Sequence, residues 1–289
     1  MSNVGRAVNR VFTRQVISDL MVTGVNNVFN HVVQKFIDKP ECKTVGELIT
    51  EIYTNIKENG RNEYYYKNTL LNNLICGVHN VNTTTALSQL RISKSIADFV
   101  LINGEGKVYE IKSDLDNFDR LESQLRDYYK AFSKVSVIVP ECEFDRVNSI
   151  LSKLTDIGDY VGIYALSSRD TLSRNFRREP MLFMDLLSHE CIFKLLRKSE
   201  YEKVLIKFFG VTPKVEQVFH FTACFEEFCK IPIETAQILA FSELKLRIKI
   251  KESDFKNVQK ELRSVVYFSG LSKNISALNA MLQTKYKRI

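Results

Sequence analysis

The chain has 289 residues, of which 45% are hydrophobic and 26% charged, a balance that suits an ordinary globular protein of one elaborated domain or two. No apolar run approaches the roughly 18 residues of a membrane span, and the N-terminal stretch MSNVGRAVNRVFTRQ lacks the apolar segment of a secretory signal, so a cytoplasmic location with no membrane partner is expected. The net charge of +7 favours an anionic partner, while the six cysteines form no C-x-x-C pair and no zinc spacing, which leaves them as reduced thiols.

Residues 1–59 read as helices. Apolar residues recur at helical spacing through VNRVFTRQVISDLM and VNNVFNHVVQKFI. After a break at KPEC, Thr44 and Glu47 stand at capping-box spacing and open a third helix. RNEYYYKNTLLNNLICG starts a fourth. Beyond Gly77 the period changes: TTALSQLRI, SIADFVLI and KVYEIK read as three strands. From Asn117 to Phe132 the pattern is helical again, with Phe118, Leu121, Leu125, Tyr129 and Phe132 on one stripe. KVSVIVP is a buried strand, FDRVNSILSKL a helix and YVGIYAL a last strand. The sequence thus predicts an α/β core on a mixed sheet over residues 60–166, ordered helix, three meandering strands, helix, strand, helix, strand. Polar, basic SSRDTLSRNFRREP, residues 167–180, reads as a linker. Residues 181–289 read as mainly helical. Within them ELKLRIKIKE alternates and predicts a strand with a basic outer face, which fits either a nucleic-acid wing or a solubilised edge.

One constellation stands out. Glu110 and Lys112 are two apart on a strand and face the same side. Asp98 interrupts the preceding apolar strand. A two- or four-residue turn between these strands would put Asp98 on the opposite face from Glu110. A three-residue turn, Gly104-Glu105-Gly106, puts Asp98 opposite Lys112 with Glu110 diagonal to it, and Gly106 suits the left-handed position that closes such a turn. Two carboxylates and an amine then converge. Clustered carboxylates repel unless a cation lies between them. Hard oxygen donors select Mg²⁺ or Mn²⁺, and such an ion polarises a phosphoryl oxygen and acidifies a bound water.

Asp98…Glu110-Ile111-Lys112 resembles the motif of the PD-(D/E)XK nuclease superfamily, and the element order resembles its restriction-endonuclease-like core. Gln124 to Tyr128, QLRDY, is similar to the Q-x-x-x-Y element of its RecB-like exonuclease branch. RNEYYYKN, VYEIKSDLD and RLESQLRDYYKAF together are similar to a group of bacterial proteins placed in this superfamily. The resemblance covers about residues 60–165. It implies a metal-dependent nuclease acting on DNA ahead of RNA, in phage defence or DNA processing. Asp98, Glu110 and the Ile111 carbonyl would be metal ligands and Lys112 the catalytic amine. Gln124 and Tyr128 would contact the substrate strand and the lysine.

Glu63 matches a glutamate often found on the first core helix, and it equally suits a helix N-terminus as a plain acid. Arg120 extends the Gln124–Tyr128 row by one turn, and Arg91 and Lys94 are candidate phosphate contacts. Tyr64, Tyr65 and Tyr66 offer a candidate stacking face for bases. The position before Asp98, often proline in the superfamily, is Ala97. The rival expectation is a module that keeps the fold and binds nucleic acid or a partner without turnover, for instance in a defence assembly, and a nuclease acting on RNA shares the same site. A homo-oligomer or a defence-system partner is a further candidate.

Overall fold

The computed structural model describes residues 8, 10–78 and 81–287. The protein is mixed α/β, with a six-stranded sheet and many helices. Two units divide it. A sheet unit takes residues 83–112 and 117–249, and a helical unit takes the chain up to residue 82, residues 113–116 and everything from residue 250. The sequence divisions at residues 60 and 181 fall inside these units rather than between them. No helix among the described residues is long and apolar enough to cross a membrane.

The chain opens the helical unit with α1 (Arg14–Thr23), α2 (Asn27–Phe36), α3 (Val45–Asn59) and α4 (Glu63–Leu71). Each begins at a side chain that accepts a backbone N–H: Thr13, Asn26, Thr44 and Asn62. Such caps satisfy donors that the helix itself cannot. At Thr44 the capping box is present as the sequence predicts, with Glu47 returning the bond to the Thr44 N–H at 2.7 Å. A π-helical segment, Asn72–Val78, continues α4. The tyrosines of α4 do not form a stacking face. Tyr65 and Tyr66 are wholly buried. Tyr64 stacks on Phe12 at 4.6 Å and donates its hydroxyl to the Glu261 carbonyl.

The sheet unit follows with β1 (Thr85–Ile92), β2 (Ser95–Asn103), β3 (Glu105–Ile111), α5 (Leu121–Tyr129), β4 (Lys134–Pro140), α6 (Phe144–Leu151), β5 (Gly162–Leu166) and β6 (Leu172–Arg178). The strands lie side by side in chain order. β1–β2, β2–β3 and β5–β6 are antiparallel, while β3–β4 and β4–β5 are parallel. Both parallel steps run in one direction across the sheet, so their right-handed crossovers lay α5 and α6 on the same face. β4 is buried along nearly its whole length, as a strand covered on both faces must be. Leu121, Leu125, Tyr129 and Phe132 of the predicted stripe are all fully buried.

Residues 167–180 are not a linker: they turn back and add β6 as the sheet's edge. Four more helices complete the unit, α7 (His189–Lys194), α8 (Lys198–Phe209), α9 (His220–Cys229) and α10 (Ile233–Leu244). The strand expected over ELKLRIKIKE does not form. α10 runs through Leu244, and Lys245–Arg247 is a short 3₁₀ turn. Arg247 is held there by Glu200 and by the Leu195 carbonyl, each at 2.6 Å. A charged pair with this burial outweighs an alternation that finds no ladder partner. The chain then returns to the helical unit through α11 (Glu252–Lys256), α12 (Arg263–Ser269) and α13 (Ile275–Leu282). Asn68 of α4 secures these last helices, bonding the Lys260 carbonyl and the Ser264 N–H at 2.9 Å each.

Candidate active site

The β2–β3 turn differs from expectation by one residue. Asn103 pairs with Glu105 and Ile102 with Gly106, so the turn centres on Gly104, whose φ of 74° is left-handed. Gly106 serves another need. A Cβ there would come within 2.5 Å of Phe241 and 2.8 Å of Phe132, two rings stacked at 4.8 Å. The parity of the register survives the shift. One step past the last pair, Phe99↔Tyr109, the same register sets Asp98 opposite Glu110 rather than opposite Lys112.

Asp98, Val100 and Ile102 of β2, with Val108 and Glu110 of β3, therefore share one sheet face. Val100, Ile102 and Val108 join the core beneath α5, and the charges stand where this apolar row ends. There the two strands part. The β2–β3 ladder stops at Phe99↔Tyr109, β2 continues against β1, and β3 continues against β4. Asp98 Oδ2 takes over the interrupted ladder by accepting the Ile111 N–H at 3.0 Å. The Lys112 N–H donates to the Ile138 carbonyl at 2.9 Å, which holds the lysine in line with β3.

α5 supplies the rest. Gln124 and Tyr128, one turn apart, present their polar groups to the same carboxylate. Gln124 Nε2 donates to Glu110 Oε1 at 2.5 Å, and Gln124 Oε1 accepts from Lys112 Nζ at 2.8 Å. Lys112 Nζ also lies 3.1 Å from Glu110 Oε1. The Tyr128 hydroxyl lies 2.5 Å from Glu110 Oε2 and 2.9 Å from the Ile96 carbonyl. The structure thus brings Asp98, Glu110, Ile111, Lys112, Gln124 and Tyr128 into one network. Glu110 is 2% exposed and Lys112 5%. Burial pushes the Glu110 carboxyl above its ordinary range, against the opposing pull of Lys112, Tyr128 and Gln124. Burial, then the Glu110 charge, pushes the Tyr128 phenol far up, so it acts only as a neutral donor.

Glu63 belongs to the helical unit, where it opens α4 and pairs with Lys67 one turn on. Arg120 is exposed at the N-cap of α5. Arg91 and Lys94 are exposed near the β1–β2 turn. Lys94 is four residues from Asp98, roughly 13 Å along an extended chain.

Two supports escaped the sequence reading. Ser95 Oγ donates to Asp127 Oδ2 at 2.8 Å, and Lys130 Nζ to Asp127 Oδ1 at 2.7 Å, which fastens α5 to the start of β2. Gln89 lies in β1 between the rungs Ser88↔Phe99 and Leu90↔Ala97, beside Asp98, with a left-handed φ of 56°. Strained non-glycine backbone of this kind gathers at functional sites. A glutamine in an alternating strand carries no sign of it.

Among the described residues no group of three or more Asp, Glu, His or Cys side chains is arranged to hold a metal ion. One step past the last pair of the β2–β3 ladder, Asp98 stands opposite Glu110, and carboxylates are the donors a hard divalent cation takes. Mg²⁺ is often held by only one or two carboxylates. A carboxylate has about four lone-pair positions, and Gln124, Lys112 and Tyr128 use three of those on Glu110.

A family model described as Bacteriophage P4 protein cII matches residues 56–283. No curated protein matches the chain, and no solved structure does.

Proposed function

The chain belongs to the bacteriophage P4 protein cII family, and we propose that it is a metal-dependent nuclease that hydrolyses phosphodiester bonds, in DNA ahead of RNA. One observation carries this reading: Asp98, Glu110, Lys112, Gln124 and Tyr128, singled out by residue type and spacing, meet in one network at the parting of two strands. Their resemblance to the PD-(D/E)XK motif with its Q-x-x-x-Y element supports the same reading, as does the run of elements from α4 to β5.

In this proposal Asp98 and Glu110, with the Ile111 carbonyl, hold Mg²⁺ or Mn²⁺, which supplies Lewis acidity toward a phosphoryl oxygen and a bound water. The chain's own groups do the positioning. Tyr128 and Gln124 fix the Glu110 carboxylate through both of its oxygens. Gln124 also holds the Lys112 ammonium close to Glu110, so that its charge is in place to stabilise the negative charge that builds on the phosphate in the transition state. Arg120, exposed one turn before Gln124, suits contact with the phosphate backbone.

The test is cleavage of labelled single- and double-stranded DNA and of RNA with Mg²⁺, Mn²⁺ or EDTA, with Lys112→Ala in parallel. Metal-dependent cutting that Lys112→Ala abolishes is expected. A second reading, a binding module without turnover, is favoured by one observation: Glu110 and Lys112 are buried and already satisfy each other. No cutting under any condition, with Lys112→Ala binding nucleic acid as the wild type does, would overturn the nuclease in favour of that module.

A further inference from the structure

The apolar stripe of α5 seats the helix but does not set its rotation. Leu121, Leu125 and Tyr129 are all fully buried, yet apolar contact is non-directional. A working site needs its side chains held to about 0.5 Å and 10–20°. Directional bonds supply that hold here. Successive residues in the last turn of α5 meet successive residues at the start of β2: Asp127 Oδ2 accepts from Ser95 Oγ at 2.8 Å, and the Tyr128 hydroxyl lies 2.9 Å from the Ile96 carbonyl. Lys130, at the C-cap, donates to Asp127 Oδ1 at 2.7 Å and reaches Ser93 Oγ at 3.5 Å. Ser93 has a left-handed φ of 54° in the β1–β2 turn, and strained non-glycine backbone of this kind lasts only where its surroundings hold it.

Asp127 does nothing for the helix it stands on. α5 ends at Tyr129, and an acid in the last turn opposes the helix dipole. The residue is also buried, which costs a charge further. Lys130 offsets part of that cost from the helix's own end. The Ser95 bond does so only by joining α5 to β2. Both joined elements carry the charged network: Asp98 lies three residues past Ser95 on β2, and Gln124 lies one turn before Asp127 on α5.

We propose that Asp127 and Ser95 are the positioning pair of this network, holding α5 at the rotation where Gln124 and Tyr128 reach Glu110. This deepens the proposed nuclease and rests on it. The pair acts through Gln124, which holds the Lys112 ammonium.

Steady-state cleavage and NMR spectra of the full chain test this, with Asp127→Ala, Asp127→Asn, Ser95→Ala and the double variant Asp127→Ala/Ser95→Ala. Asp127→Ala and Ser95→Ala are each expected to lower kcat by about tenfold or more, with KM within about twofold of wild type. The double variant is expected to be no slower than Asp127→Ala, because both changes remove the same bond. Asp127→Asn keeps an oxygen for Ser95 and is expected to recover most of the loss. The Gln124 side-chain amide protons, shifted by their bond to Glu110, are expected to move toward the positions of a solvated glutamine in Asp127→Ala and Ser95→Ala, and to stay in place in Asp127→Asn. Wild-type kcat in Ser95→Ala, or Gln124 resonances that Ser95→Ala leaves in place, overturns the inference. A wild type that cuts nothing overturns the nuclease instead, and the Gln124 resonances then decide the role of the pair in the same directions.

Discussion

Gln124 Oε1 accepts a hydrogen bond from Lys112 Nζ at 2.8 Å, while the other end of the same amide donates to Glu110. One neutral side chain therefore bridges and orients two buried opposite charges that also pair directly. Replacing it with leucine keeps its bulk but leaves both charges a partner short, which costs about 1–3 kcal/mol. Gln124→Leu is expected to lower the urea midpoint accordingly. In the proposed nuclease it is also expected to lower kcat more than it raises KM, because the lysine loses its position. Gln124→Glu is expected to be worse than Gln124→Leu, since it sets a second carboxylate against Glu110. Urea unfolding curves of the three proteins check the order.

The buried Glu110 carboxyl gives stability a pH dependence. Its folded-state pKa lies above the ordinary value of 4.5, so between those two values the folded protein binds the proton more tightly than the unfolded chain. That contribution is fully present below the unfolded pKa and is lost as pH rises through the folded one. Glu110→Gln, which cannot titrate, is expected to remove this component. The stability of the variant relative to wild type should therefore rise between pH 4.5 and the folded pKa. Unfolding free energies measured at a series of pH values decide it, and a difference that stays flat or falls with pH would contradict the assignment.

Two glycines in one turn should answer differently to the same substitution. Gly104 has a left-handed φ and open space where a Cβ would point, so Gly104→Ala costs about 1 kcal/mol of backbone strain. Gly106 lacks that strain, but its Cβ would enter the stacked Phe132–Phe241 pair. Gly106→Ala is expected to cost about 1–3 kcal/mol through overpacking. Pairing Gly106→Ala with Phe241→Leu should recover part of that loss, while Gly104→Ala with Phe241→Leu should show only additive effects. A double-mutant cycle by chemical unfolding reads both.

These glycines also mark how far the sequence could be read. An odd-numbered turn placed Asp98 and Glu110 on one face, because face depends only on parity. Parity could not choose between Gly104 and Gly106 as the turn residue, since both flank Glu105. Gly106 instead lies against Phe241, far along the chain. The stripe of α5 was legible because Leu121, Leu125 and Tyr129 repeat over two turns, and Gln124 and Tyr128 came with it. β6 was not legible: its residues are half-buried or exposed throughout, so no alternation marks it. ELKLRIKIKE misled for the opposite reason. Its alternation is strong, but Leu246 is 53% exposed and Arg247 is drawn aside by Glu200.

The strands stand in the sheet in the order in which they are made. As the ribosome extends the chain, each strand after β1 meets a neighbour already laid down. Every member of the charged network lies between residues 98 and 128. Its parts are therefore all synthesised before β4 appears, and the later helices add cover to a site whose chemistry is already written.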